Sequence, residues 1–350
     1  MFGKAGLVGV DVGHYYTKVV EFERKKGVIS LVKVFKERTP EGVLSADGCD
    51  EVVLSEFLRS IFSEHKVKNR SVALGINSSF VITKTLRMPL VVDEEIEQAV
   101  MWEAEQYAPV GIEEVNVSYQ VLGKDENKKE MVILIAITKR GIIESYKTAF
   151  KRAKLRLEIV DVDVFSTSNA FLFSQPKALE KHNLIVDLGH SSTKLVFLKK
   201  SIPTFARYMD FNFSTILDEA KDVFNVKEED VKLILKDERS EKKSNFIAFL
   251  NEKLFPLYTQ VKNSITFYNT SIVDIEEPID NVVFTGVLGV LYEYLSLERA
   301  KDILNSEIIR SDPFDFATKD NIENIDEVSK GVSSLYCVAS GLSLRGVGSD

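Results

Sequence analysis

Apolar and polar residues alternate from Leu7 to Phe35, with valine and isoleucine prominent, and Lys25-Lys26-Gly27 interrupts the run as a turn. A period of two marks half-buried strands, so a three-stranded meander is expected to open the chain. The polar segment Thr39 to Asp50 carries Pro40, Gly42 and Gly48 and reads as a loop. From Glu51 to His65 the period changes. Val53, Leu54, Phe57, Leu58, Ile61 and Phe62 recur at helical spacing, which predicts an amphipathic helix on that sheet. Strands follow at Ser71 to Ile76 and Val81 to Met88. Asp93 then reads as an N-cap, with Glu94, Glu95 and Glu97 in the first turn of a helix that ends near Tyr107, before Pro109. Beyond it the pattern predicts a hairpin, Val115 to Leu122 and Met131 to Ile137, with a charged tip. A helix from Gly141 to Leu155, a strand from Leu157 to Val164 and a helix from Phe165 to Phe173 complete the first half.

Strand patterns return from Leu184 to Arg207, and the chain then turns helical at Phe213 to Phe224, Lys227 to Lys236 and Asn245 to Asn269. Asn281 to Gly286 reads as a buried strand ending on glycine. A repeat underlies this return. Val10-Asp11-Val12-Gly13-His14-Tyr15-Tyr16-Thr17-Lys18-Val19-Val20 is matched by Val186-Asp187-Leu188-Gly189-His190-Ser191-Ser192-Thr193-Lys194-Leu195-Val196, at a constant offset of 176 (187 minus 11), close to half of 350. Asp and Gly are ordinary turn residues, so one copy means little. Two copies in register put two hairpin turns across a shared cleft, where a phosphate chain can be held from both sides. Amides around Gly13 and Gly189 and the hydroxyls of Thr17, Ser192 and Thr193 are candidate donors. Asp11 and Asp187 are candidates to hold the waters of a magnesium ion. Lys18 is a phosphate contact or an exposed strand residue.

Composition narrows the partners. With 350 residues, 45% of them hydrophobic, the chain can bury two ordinary cores. A formal charge of −8 gives no basic footprint for nucleic acid or anionic lipid. The two cysteines, Cys49 and Cys337, lack metal-ligand spacing and fit a reducing compartment. The opening apolar run is broken at Asp11, too early for a secretory leader, and the run Met131 to Ile137 is far short of a membrane span. A soluble, cytoplasmic protein is expected.

The paired turns resemble those of the actin-like ATPases, which include actin, the DnaK-type chaperones, the sugar kinases and FtsA. That resemblance implies an α/β, two-lobed actin-like ATPase fold, a duplicated ribonuclease-H-like core, with ATP and Mg2+ between the lobes. Within the superfamily, Ala99-Val100-Met101-Trp102-Glu103-Ala104-Glu105-Gln106-Tyr107-Ala108-Pro109, the segment Glu113 to Leu122, and Gly341-Leu342-Ser343-Leu344-Arg345-Gly346 are similar to signatures of the PilM family of type IV pilus assembly proteins. The absence of an amphipathic helix after the last of these argues against FtsA itself. The family arrangement implies subdomain IA at 1–83, 158–183 and 330–350, an FtsA-type IC insertion at 84–157, IIA at 184–210 and 272–329, and IIB at 211–271. Asp161 and Asp163 occupy the position from which such proteins orient an attacking water, and a capping or turn role is equally open to them. Glu229 and Lys232 are similar to a ribose-gripping pair, and also to a common exposed i,i+3 helix pair. Gly286 resembles the adenosine loop. Val287 and Asn212 stand where the family usually has glycines, so the base side of the cleft departs from the pattern.

The family resemblance implies an adaptor at the inner face of the cytoplasmic membrane, brought there through partners, in a machine that drives twitching motility. The groove between IA and IC, around Thr83, Leu86, Met88, Trp102 and Tyr107, would take the N-terminal tail of PilN. Trp102 and Tyr107 read equally well as core anchors. Other inner-membrane pilus proteins and self-association are further expected contacts. Any turnover is expected to be that of a slow ATPase, since no residue stands out as base or substrate pocket for a phosphotransferase. An FtsA-like filament and a nucleotide-free scaffold are the alternatives.

Overall fold

The computed structural model describes residues 6–226, 234–235, 241–272, 277–320 and 322–347. The meander forms as its alternation requires. β1 (Val8–Val12), β2 (Tyr16–Lys25) and β3 (Val28–Arg38) are antiparallel neighbours. Lys26 and Gly27, at φ 51° and 79°, make the two-residue turn whose left-handed backbone matches the twist of the strands it joins. A short ribbon, β4 (Leu44–Ser45) and β5 (Gly48–Cys49), leads to helix α1 (Glu51–Glu64). Asp50 caps that helix by accepting from the amides of Val52 and Val53. β6 (Ser71–Ile76) then lies parallel to β1.

An insertion follows: β7 (Val81–Pro89), α2 (Asp93–Glu105), β8 (Val115–Asp125) and β9 (Glu130–Lys139). Its three strands form their own antiparallel sheet in the order β7-β9-β8. Asp93 is the first residue of α2 rather than its cap. Val92 precedes it without a side-chain bond, and the Asp93 carboxylate takes Lys124 Nζ at 2.6 Å. The chain returns through α3 (Arg140–Arg152), β10 (Arg156–Val162) and α4 (Asp163–Ser174).

The second half repeats the first. β11 (His182–Leu188), β12 (Thr193–Lys199) and β13 (Ile202–Met209) form the meander, and after α5 (Phe213–Phe224) and the long helix Glu241–Ser271 come β14 (Asn281–Gly286) and β15 (Glu307–Arg310). The sheet orders are β10-β6-β1-β2-β3 and β15-β14-β11-β12-β13, with the same parallel and antiparallel pairings. The register repeats as well. Asp11 faces Lys18 and Val12 faces Thr17, as Asp187 faces Lys194 and Leu188 faces Thr193. The duplication seen in the motif is therefore a duplication of the whole sheet.

Packing moves two of the expected subdomain boundaries. α3 buries Ile142, Ile143, Tyr146, Ala149 and Phe150 in one cluster with Val8, Leu54, Leu58 and Phe62, so it belongs to the first core and the insertion ends with β9. Phe314, Phe316, Ile322 and Val328 pack against Phe22 and Leu31 of the first meander, so the return to the first lobe begins well before residue 330. Apolar periodicity identifies a buried face but not which neighbour buries it. The lobes meet where the C-terminal helix Cys337–Leu344 lies against β1 and crosses α4. A Cβ on Gly9 would overlap the carbonyl of Ala339, and one on Gly341 the carbonyl of Ser166. Only glycine permits backbones to approach this closely.

Candidate functional site

The two repeated turns face each other across a cavity of about 640 Å³. Asp11, Gly13, Lys18, Asp187, Gly189, Ser192 and Gly286 line it, as expected from sequence. Thr17 and Thr193 do not. Their side chains alternate to the opposite face of the strands, where both are fully buried. Thr17 Oγ1 is hydrogen-bonded to Thr39 Oγ1 at 2.9 Å, and Thr193 Oγ1 donates to the Phe211 carbonyl at 2.7 Å. The amides of Gly13 and Gly189 donate to Tyr16 O and Ser192 O, closing their own turns. These four groups shape the turns from behind rather than pointing donors into the cavity.

The cationic wall is richer than the sequence suggested. Lys18 faces Lys36, and Tyr16 faces Arg38, in the β2–β3 ladder, so Lys36 and Arg38 join Lys18 at the cavity, and Lys194 enters from β12. Lys18 Nζ is 2.7 Å from Asp11 Oδ2. Lys36 pairs with Glu327. Arg38 places its guanidinium 3.3 Å from the Tyr15 ring centroid, and the Tyr15 ring in turn packs, tilted by 34°, against that of His190 of the other lobe at 4.1 Å. Burial lowers the pKa of His14, with Lys194 adding to the effect. It lowers that of His190 to about 4, with Arg38 adding to it, so both imidazoles are neutral at pH 7.

Asp187 is in no ion pair among the described residues, and burial raises its pKa above the usual carboxylate value against the pull of Lys194 and Lys18. Gly286, at φ +61°, lies against it: a side chain there would strike Asp187 Oδ1 and the Leu188 carbonyl. Asp11 is committed to Lys18, so Asp187 is the carboxylate that fits a hydrated magnesium ion better.

The two aspartates of the connecting segment are both engaged. Asp163 lies behind the cavity wall with Oδ2 2.6 Å from Lys194 Nζ, and its Oδ1 accepts from Ser78 N at 3.0 Å and Val164 N at 2.7 Å. Asp161 is not at the cavity. Its nearest cation is Arg345, with Nε 3.7 Å from Oδ2. Neither is poised as a general base. Asn212 does different work from a glycine: it caps α5 by accepting from Thr215 N at 3.0 Å. Val287 lines the cavity with Val290, Leu291, Leu217 and Phe213, and gives that side an apolar wall. Glu229 and Lys232 lie outside the described residues.

With this geometry in view, the sequence matches the family model described as type IV pilus assembly protein PilM over residues 9–347. The chain belongs to the PilM family. Its fold is similar to that in a solved PilM-PilN type IV pilus biogenesis complex, at a TM-score of 0.82 and 19% identity, covering 99% of this chain and 100% of that one. Two other structures share the fold more distantly. Ethanolamine utilization protein EutJ from Carboxydothermus hydrogenoformans matches at TM-score 0.55 and 13% identity, over 97% of this chain and 89% of that one. MreB5 of Spiroplasma citri, solved bound to ADP, matches at TM-score 0.50 and 12% identity, over 97% and 95%. The two-lobed actin-like architecture of PilM is thereby established for this chain. No helix among the described residues is long and apolar enough to cross a membrane.

The residues expected to form the partner groove do not share one wall. Among the described residues β7 is an edge strand, hydrogen-bonded as a strand to β9 alone and touching β13 without pairing, and α2 packs over β8 and β9. Met88 is buried in the core beneath α2, with Leu86 and Tyr107 partly buried around it. Thr83 falls on the opposite face of β7, because residues an odd number apart in a strand point to opposite sides. Trp102 is not part of the core. It is 74% exposed, on the side of α2 away from Ile96, Val100 and Ala104. Its large apolar surface made it read as an anchor, but the helical period places it outward.

Proposed function

We propose that this chain is a cytoplasmic adaptor of the type IV pilus inner-membrane assembly, taking the N-terminal tail of PilN along its insertion and ATP between its lobes. The observation that carries the proposal is the open edge of β7, in a chain of the PilM family whose fold matches that of a PilM solved with PilN. An extended tail added to an edge strand gains main-chain hydrogen bonds, and its alternate side chains meet both faces of the sheet. On one face it meets Leu86 and Tyr107, over whose ring Lys84 Nζ sits at 5.2 Å, and on the other Thr83. In the cleft, Lys18, Lys36, Arg38 and Lys194 would take phosphate oxygens, and Asp187 the waters of magnesium, whose chemistry when bound is to screen phosphate charge. Hydrolysis is at most slow on this reading, because Asp163 lies behind the cavity wall and its Oδ1 is taken by the amides of Ser78 and Val164.

The test is calorimetric titration of a PilN tail peptide into the purified chain. Leu86→Asp is expected to weaken binding at least about tenfold, the worth of one apolar anchor. Trp102→Ala, on the outer face of α2, is expected to change it less than about twofold. The reverse order of effects would place the tail on the outside of α2 and overturn the β7 reading.

A further inference from the structure

The two turns are internal copies, yet their lysines behave differently. Lys18 stands opposite Asp11 in the β1–β2 ladder and pairs with it at 2.7 Å. Lys194 stands opposite Asp187 in the β11–β12 ladder, but its ammonium reaches past Asp187 to Asp163, at 2.6 Å. This pair bridges the lobes, because Lys194 belongs to the second sheet while Asp163 is held to the first through the Ser78 amide. Burial lowers the Lys194 pKa, but Asp163, Asp187 and Asp11 together outweigh it and hold the ammonium charged. Lys194 is also part of the cavity wall.

Asp163 can release this cation without being stranded. Its Oδ1 keeps the amides of Ser78 and Val164, and it is the first residue of α4, where the helix dipole favours a negative charge. The lysine itself would gain by leaving, since a phosphate group carries more charge than one carboxylate and accepts in several directions.

We propose that Lys194 is the residue that reads the terminal phosphate of a nucleoside triphosphate, exchanging Asp163 for it. The inference rests on the cleft being a nucleotide site. A diphosphate stops one group short, so Lys194 stays on Asp163 and the lobe-bridging pair is kept. Asp163 is then a positioning residue that restrains Lys194 and lowers the affinity for triphosphate.

The experiment is titration of Mg-ATP and Mg-ADP into wild type, Asp163→Asn and Lys194→Met, each checked by its melting curve. Asp163→Asn frees the lysine and removes a negative charge from behind the cavity wall. It is expected to tighten ATP about tenfold and ADP less than about twofold. Lys194→Met is expected to weaken ATP about tenfold and leave ADP within about twofold. The double variant Asp163→Asn/Lys194→Met, in which neither member of the pair remains, supplies a second route, with the same loss of preference for ATP. A purely structural pair would move both nucleotides together, and an unchanged ATP-to-ADP ratio in Asp163→Asn or in the double variant overturns the proposal. Wild type that binds neither nucleotide overturns the cleft reading and this proposal with it. Wild type that binds both, with variants whose ratio does not move, overturns this proposal alone.

Discussion

Gly341→Val is expected to abolish the two-lobed fold. The C-terminal helix and α4 cross at this residue, and a Cβ there overlaps the Ser166 carbonyl and α-carbon, which are backbone atoms that cannot rotate away. Relief requires the helices to separate, which also lifts the C-terminal helix from β1, where Gly9 allows a similarly close approach to Ala339. Overpacking of a close-packed core commonly costs about 1–3 kcal/mol. Here two rigid elements and the junction between lobes must move together, so a loss above about 4 kcal/mol is expected. Denaturant unfolding measures it, and the same experiment on Gly141→Ala is the control. Gly141 lies in α3, and a Cβ there meets nothing within 4 Å. Alanine in place of glycine in a helix gains up to about 1 kcal/mol, so that variant should be as stable as wild type or slightly more so.

The second large effect belongs to the cleft. Gly286→Val is expected to weaken Mg-ATP at least about a hundredfold. Position 286 ends β14 at φ +61°, a backbone that β-branched residues avoid, and its added carbon would strike Asp187 Oδ1 and the Leu188 carbonyl. Valine there displaces the unpaired carboxylate and the strand that carries the second turn at once. Calorimetric titration of Mg-ATP decides it. An affinity within about threefold of wild type would mean that nucleotide does not depend on the Asp187 side of the cavity.

The repeat at offset 176 led to the duplicated sheets because the same ladder register is needed twice: Asp faces Lys and the next pair contains Thr in both hairpins. The catalogue of phosphate donors was less legible. Strand alternation, applied to Thr17 and Thr193, already turns them from the side that carries Lys18 and Lys194, and that signal outweighs their suitability as donors. Lys36 and Arg38 were hidden because they come to the cavity through cross-strand register, which no local motif records. Lys194 could have been found as the internal equivalent of Lys18, although its turn towards Asp163 depends on how the lobes pack. Asn212 reads as a lost glycine in a family pattern, while its own chemistry, an Asn just before a helix with an amide three residues on, points to a cap. Trp102 shows the opposite hazard. Helical phase relative to Ile96, Val100 and Ala104 places it outside, and only its bulk suggested otherwise.

Asp163 also joins the two parts of the proposed adaptor. It holds Lys194 on the cleft side and the amide of Ser78 on the other, a few residues before β7 begins. Nucleotide that draws Lys194 away would therefore bear on the strand whose open edge is to take the tail, by differing in affinity for the two arrangements. The most direct measurement is the dissociation constant of a PilN tail peptide, determined by calorimetry with and without saturating Mg-ATP. The account predicts that the tail binds in both conditions, with constants differing by about fivefold or more. A chain that takes up no tail peptide in either condition would contradict it.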